Sequence, residues 1–180
     1  FIVYALKPNL QRPLFGDSKG VRGQGPADLD FSHNPSLEFI KSMGSQGTKP
    51  AKLIAYFANS VYVFFREHFE EVDYKAATWL SLKAGYKTRT HKHQDDLSIC
   101  LYSKGYDSFV DAGMYNFMPK DRYKDYMESI PAHSTIAIAD RPYSIARANG
   151  EKFAIQAVEQ TENFEYAMAS SRVYAGCAIY

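Results

Sequence analysis

The chain has 180 residues, 21 basic and 20 acidic side chains, and a formal net charge of +1. That length fits one domain, or one domain with a piece of another, and the near-neutral charge excludes the strong positive field of a nucleic-acid or membrane-surface binder. Hydrophobic residues make up 46% and aromatics 15%, which suits a packed core, half-buried pleated surfaces and sugar platforms.

Residues 1–34 show no clean period and are punctuated by Pro8, Pro13, Gly16, Gly20, Gly23, Gly25 and Pro26. They read as loop with one short element, an edge or connector whose partner is missing. The start, Phe1-Ile2-Val3-Tyr4, has no initiator Met, basic n-region or cleavage site, so the chain reads as an excised fragment or processed product. No apolar run is long enough to span a bilayer. Asn34-Pro35-Ser36 then predicts a helix start, with Asn34 as N-cap and Pro35 at the first helical position. Leu37, Ile40 and Met43 form its apolar stripe, and Gly44 ends it.

From residue 52 the pattern becomes strand-like. The expected strands cover 61–65, 77–82, 97–102, 108–111, 135–138, 153–158, 164–168 and 173–180, with a turn at Lys104-Gly105. Short β-branched and aromatic runs separated by turns predict a mainly β protein, an antiparallel β-sandwich. The last run reaches Tyr180 without a closing turn, which leaves the sheet open at its C-terminal end. Cys100 and Cys177 lie in strand-like runs and read as buried free thiols; two cysteines are too few for a disulfide framework.

Three of the five histidines lie between Thr90 and Thr135. In an extended strand alternate residues share a face, so His91 and His93 point the same way, with Leu97, Ile99 and Leu101 continuing that side. Imidazole and carboxylate are common zinc ligands outside thiolate sites, and His93, Asp111 and His133 are the candidate triad. Spacing alone makes His-x-His a weak metal signal; two solvated histidines and one buried, hydrogen-bonded one are the plain alternative. A simple hairpin about Lys104-Gly105 pairs Asp111 near Ser98 and leaves His93 roughly 16 Å away, at about 3.3 Å per residue. The triad therefore requires Gln94–Asp96 to bend back, unless Asp95 or Asp96 supplies the carboxylate. Lys87, Arg89 and Lys92 read as exposed, solvated charges.

The order and spacing of four motifs resemble the C-terminal β-sandwich of the heparinase II/III family of polysaccharide lyases. They are His91-Lys92-His93-Gln94-Asp95-Asp96-Leu97-Ser98, Val110-Asp111-Ala112-Gly113-Met114-Tyr115, Arg122-Tyr123 and Ala132-His133-Ser134-Thr135. The resemblance implies a sandwich domain over 53–180, preceded in 1–52 by the loop-and-helix remnant of a helical (α/α) toroid. It implies that His93, Asp111 and His133 hold a structural zinc and that His91 faces substrate as the catalytic histidine. Tyr115 and Tyr123 are weaker substrate contacts, with packing as the simpler role. Asp95 supports the loop, and Ser134 replaces the family's usual Asn. The implied partner is a uronate-containing acidic polysaccharide cleaved by β-elimination, in the periplasm or outside the cell. The missing helical domain implies that the chain alone is inactive. Two rivals remain: a cupin-like metalloenzyme, although no Glu follows the His pair, and a non-catalytic carbohydrate-binding module.

Overall fold

A computed structural model describes residues 1–19, 33–144 and 154–174. Its centre is a five-stranded antiparallel meander in the order β1 (Ile54–Phe57), β2 (Tyr62–Arg66), β3 (Trp79–Lys83), β4 (Ser98–Ser103) and β5 (Tyr106–Phe109). A second antiparallel pair, β6 (Ala154–Gln160) and β7 (Glu165–Ser170), makes a separate sheet. The fold is the expected mainly antiparallel β-sandwich. The Lys104-Gly105 turn forms as read: both residues have positive φ, 51° and 88°, and they join the facing pair Ser103 and Tyr106, as a tight hairpin requires. A bulge after Leu101 shifts the β4–β5 register.

The register places Phe64, Ser81 and Cys100 side by side, and likewise Arg66, Trp79 and Tyr102. These residues form one face of the large sheet, and all six are buried. The N-terminal segment covers that face. Helix α1 (Ile2–Ala5) packs Ala5 and Tyr4 against Phe64, Trp79 and Tyr102. The Trp79 indole Nε1–H donates to the Tyr4 carbonyl at 2.8 Å, and the Lys7 ammonium pairs with Asp107 at 2.8 Å. The described part of the stretch expected to lack a partner, residues 1–19, thus packs against the sheet. On the other face, Leu82 packs with Ile155 and Ala169 of the small sheet.

Helix α2 (Pro35–Lys41) forms where its cap predicts it: the Asn34 side chain accepts from the Ser36 and Leu37 amides. Leu37 and Ile40 are buried with Val3, Leu6, Phe69 and Tyr74, and Met43 packs against them. Arg66 is buried beside this cluster, its guanidinium over the rings of Phe69 and Tyr74 at 4.7 and 4.4 Å. Burial lowers its pKa.

One expected strand is corrected. Residues 135–138 form no strand: Ser134 takes up the Ile99 amide through its carbonyl at 3.0 Å, and the chain then turns away from β4. Two elements went unread, β1 and helix α3 (Arg122–Met127), which is capped by the Asp121 carboxylate accepting from the Tyr123 and Lys124 amides. Cys100 is a buried free thiol, its pKa pushed up to about 12 by burial. Cys177, Phe153 and most of the last expected strand lie outside the described residues.

Leu6 is fully buried in the cluster that joins the N-terminal segment to the sandwich. Leu6→Ala is expected to cost about 2–5 kcal/mol, from lost transfer energy and the cavity left behind. Denaturant unfolding checks this, and an unchanged midpoint would show that the segment adds nothing to the core.

Candidate metal centre

The loop between β3 and β4 carries both histidines of the His-x-His pair, and it is not extended. His91 and Leu97 both adopt left-handed backbone, φ 59° and 57°, which is unfavourable for residues with a Cβ. The Ser98 amide reaches back to the Asp95 carbonyl, and the Gln94 amide donates to the Glu128 carbonyl at 2.8 Å. The Gln94–Asp96 stretch therefore bends back, as the triad requires. The expected shared strand face is corrected: His91 is exposed, while His93 is buried at 1%.

A buried charge cluster holds this loop. The Lys92 ammonium donates to Asp95 at 2.6 Å, Asp96 at 3.0 Å, the Tyr143 hydroxyl at 3.3 Å and the His93 carbonyl. Lys83 from β3 pairs with the other oxygen of Asp95. The Lys92 side chain is only 2% exposed, so the expectation of a solvated Lys92 is wrong; Lys87 and Arg89 are exposed as expected. Burial alone would raise the Asp95 carboxyl, but Lys83 and Lys92 outweigh it and hold the group down at about 2. Burial dominates at Asp96, with like-charge Asp95 adding to it against the pull of Lys92, and its carboxyl is pushed up to about 6.

The bent loop brings His93 to Asp111 and His133. Asp111 and His133 form an isolated antiparallel bridge, and Asp111 Oδ2 lies 3.2 Å from His133 Nδ1. The His93 and His133 rings are 5.4 Å apart, centroid to centroid. Asp111 Oδ1 accepts from the Gly113 amide at 3.1 Å, which aims Oδ2 inward. All three side chains are buried, and their candidate ligand atoms lie within 4.8 Å of one another. Four of their buried polar atoms have no hydrogen-bond partner: His93 Nδ1, Asp111 Oδ2, and both ring nitrogens of His133. Buried polar atoms left unpaired are costly, and a divalent cation would satisfy this convergence of two imidazoles and a carboxylate. Neither Asp95 nor Asp96 takes the carboxylate position, because both are engaged by lysines.

Sequence reasoning missed one residue here. Asp17 Oδ2 lies 2.5 Å from His91 Nδ1, and Asp17 Oδ1 lies 2.9 Å from His93 Nε2. Burial would raise the Asp17 carboxyl, but hydrogen bonds and charge from the two histidines outweigh it and lower its pKa. Gly16-Asp17-Ser18 is visible in the sequence, but nothing local pairs it with residues 74 and 76 positions further on. Beside His91 lies an open cleft of about 280 Å³, lined among others by Asn59, Tyr62, Tyr86, Lys87 and His91. Tyr115 and Tyr123 come together elsewhere on the surface, 53% exposed each, ring centroids 5.8 Å apart. Among the described residues no hydrogen bond, ion pair or ring contact joins them to the histidines.

The family described as Heparinase II/III-like, C-terminal matches residues 49–180. The chain belongs to this family. A heparin-sulfate lyase of Pedobacter heparinus is 25% identical over 155 residues, covering 81% of this chain and 23% of that protein. The structure of heparan sulfate lyase HepC from the same organism aligns over 97% of this chain and 28% of its own, with TM-score 0.76 and 20% identity. A heparinase III structure aligns over 98% of this chain and 30% of its own, with TM-score 0.79 and 18% identity. These structural likenesses show the fold. The chain spans less than a third of the length of each of these relatives.

Lys92→Met would leave Asp96 without its cation and Asp95 with only Lys83, at an expected cost of about 3–5 kcal/mol, read by denaturant unfolding. The raised carboxyl of Asp96 gives a pH test. A group whose folded pKa, about 6, exceeds its unfolded value near 3.8 loses stability as pH rises between the two. The difference in stability between wild type and Asp96→Asn is therefore expected to change from about pH 4 to pH 6 and to level off above. A constant difference across that range would contradict the burial of an ionisable Asp96.

Proposed function

We propose that the chain is the metal-binding sandwich part of a polysaccharide lyase that cleaves uronate-containing acidic polysaccharide by β-elimination. The observation that carries this reading is the convergence of His93, Asp111 and His133 with unsatisfied ligand atoms, beside a cleft that contains His91, in a chain of this family. The names of the similar proteins, heparin-sulfate lyase and heparinase III, support the substrate class. Residues 1–52 are read as the end of a preceding helical domain; the structural likeness covers 98% of the chain and so extends into them.

The metal is read as zinc in a structural role. When bound it would tie together the β3–β4 loop, the segment after β5 and the segment after α3, with two neutral imidazoles and one carboxylate as donors. The chemistry belongs to other groups. In β-elimination a base removes the proton at C5 of the uronate. Its electrons form the C4–C5 double bond, the C4–O bond breaks, and an acid protonates the departing oxygen. The uronate carboxylate has to be neutralised so that charge can delocalise in the intermediate.

His91 is the residue of this chain offered for proton transfer, being exposed at the cleft with one ring nitrogen held by Asp17. Lys87, exposed on the same cleft, offers a cation for an acidic sugar. Tyr115 and Tyr123 are kept as an outer aromatic contact for sugar rings. The carboxylate-neutralising group and the principal tyrosine are assigned to the helical domain, so the chain alone is inactive. Among the described residues no helix is long and apolar enough to cross a membrane; the periplasm or the cell exterior is the proposed location.

His93→Ala and Asp111→Ala are each expected to release metal and lower the melting temperature, measured by elemental analysis and calorimetry. Unchanged metal content in both would end the assignment, and iron or manganese in place of zinc would favour a cupin-like enzyme. The chain alone is expected to form no unsaturated uronate, followed by its ultraviolet absorbance. When the chain is joined to its helical domain, His91→Ala is expected to lower kcat by roughly 10²–10⁴-fold. Binding of uronate oligomers without cleavage in the joined protein would favour a carbohydrate-binding module.

A further inference from the structure

The segment Phe15–Ser18 is held over the metal centre by two close backbone approaches. A Cβ on Gly16 would stand 2.5 Å from the His91 carbonyl oxygen, and one on Gly113 would stand 2.6 Å from the Ser18 carbonyl oxygen. Both glycines have positive φ, 55° and 67°. The Met114 amide donates to that same Ser18 oxygen at 3.0 Å. Phe15 packs on Tyr62, ring centroids 5.1 Å apart, and the Ser18 hydroxyl closes the turn on the Phe15 carbonyl at 2.7 Å. The turn is therefore fixed on both sides, and Asp17 is its only ionisable residue.

A carboxylate only accepts hydrogen bonds. Both ring nitrogens that face Asp17, His91 Nδ1 and His93 Nε2, must therefore carry the proton. In a neutral imidazole the other nitrogen is then a bare lone pair. At His93 this is Nδ1, which is buried and has no hydrogen-bond partner. At His91 it is Nε2, on a side chain 62% exposed.

We propose that Asp17 is a positioning residue that sets both histidines at once. It fixes His93 in the tautomer that ligates metal through Nδ1, and it fixes His91 in the tautomer that presents a basic Nε2 to the cleft. The metal centre and the proton-transfer histidine then share one carboxylate, supplied by a segment outside the part of the chain that matches the family. The inference rests on the reading that His93, Asp111 and His133 hold the metal. It competes with one other arrangement on the same atoms, in which Asp17, His93 and Glu128 form the cation site and His93 ligates through Nε2.

The test uses the 180-residue chain, zinc ion as the probe, and two readouts other than activity. The first is zinc affinity by competition with a chromophoric chelator. Asp17→Asn is expected to weaken it about 10–100-fold, and Asp17→Glu to recover part of the loss. The second is long-range proton–nitrogen NMR of the histidine rings. In the zinc-loaded wild type, His93 is expected to be bound through Nδ1 with Nε2 protonated, and His91 to be the Nδ1–H tautomer. An asparagine can accept from one ring and donate to the other, so Asp17→Asn is expected to move His91 towards the Nε2–H tautomer.

Zinc on His93 Nε2, or a wild-type His91 already in the Nε2–H form, overturns the proposal even if Asp17→Asn does not fold. So does an Asp17→Asn chain with zinc affinity within about twofold of wild type, a change too small for a lost second-sphere carboxylate. A wild type that binds no zinc overturns the metal reading itself. If zinc binds and is lost in His133→Ala but not in Asp17→Asn, the metal reading stands and the role of Asp17 alone fails.

Discussion

The site depends on an ammonium group buried among acids. Lys92 sits between His91 and His93 in sequence, and its nitrogen is taken up by Asp95, Asp96 and Tyr143 beneath the loop. That inward pull turns the two flanking imidazoles apart, one to the interior and one to the surface. Without a cation in that position, two adjacent carboxylates in a dry environment would repel each other, and the loop would have no reason to bend back from the sheet. The cluster also reaches the small C-terminal aromatic group. Lys92 lies over the rings of Tyr86 and Tyr143 at 5.1 and 5.7 Å, and Tyr143 bridges to Tyr174. The loop is thereby tied to the second half of the chain before any metal is considered.

Local signals were legible where the physics is local. Asn34-Pro35 announced a helix because a cap and a fixed φ act within one turn. Lys104-Gly105 announced a hairpin because only certain residues accept positive φ in a two-residue turn. The approach of His93, Asp111 and His133 was legible for a different reason: the geometric objection named the bend that had to exist, and the bend is there. What stayed hidden is what long-range contact decides. The cap signal at Asp121 was present, but α3 has only six residues and buries none of them, too short a run for a helical period to stand out. The run after His133 looks like a strand in composition and still forms no ladder, because Ser134 spends its one bond to β4 at Ile99. The burial of Lys92 could not be read from charge, since a lysine next to two aspartates looks the same on a surface.

The face of the large sheet that lies towards the site is unusually polar for a core. Lys83, Ser81 and Ser98 are all buried there, beside Phe64, Trp79 and Cys100. Aromatic residues dominate at the Trp79 end of β3, where α1 docks, and Lys83 and Ser98 lie at its opposite end. One sheet face thus serves as a packing platform at one end and as the floor of a charged site at the other. The N-terminal segment covers both in sequence: Tyr4 and Ala5 over the apolar end, Phe15 and Asp17 over the polar end.

That covering has a practical consequence for how the gene is cut. A boundary drawn where family similarity begins, at residue 49, would strip the indole of Trp79 of its acceptor, uncover Phe64 and Tyr102, and discard the carboxylate on which two imidazoles converge. The product would retain every residue by which the family is recognised and would still be a damaged protein. Expression trials and domain swaps should therefore carry the preceding stretch along.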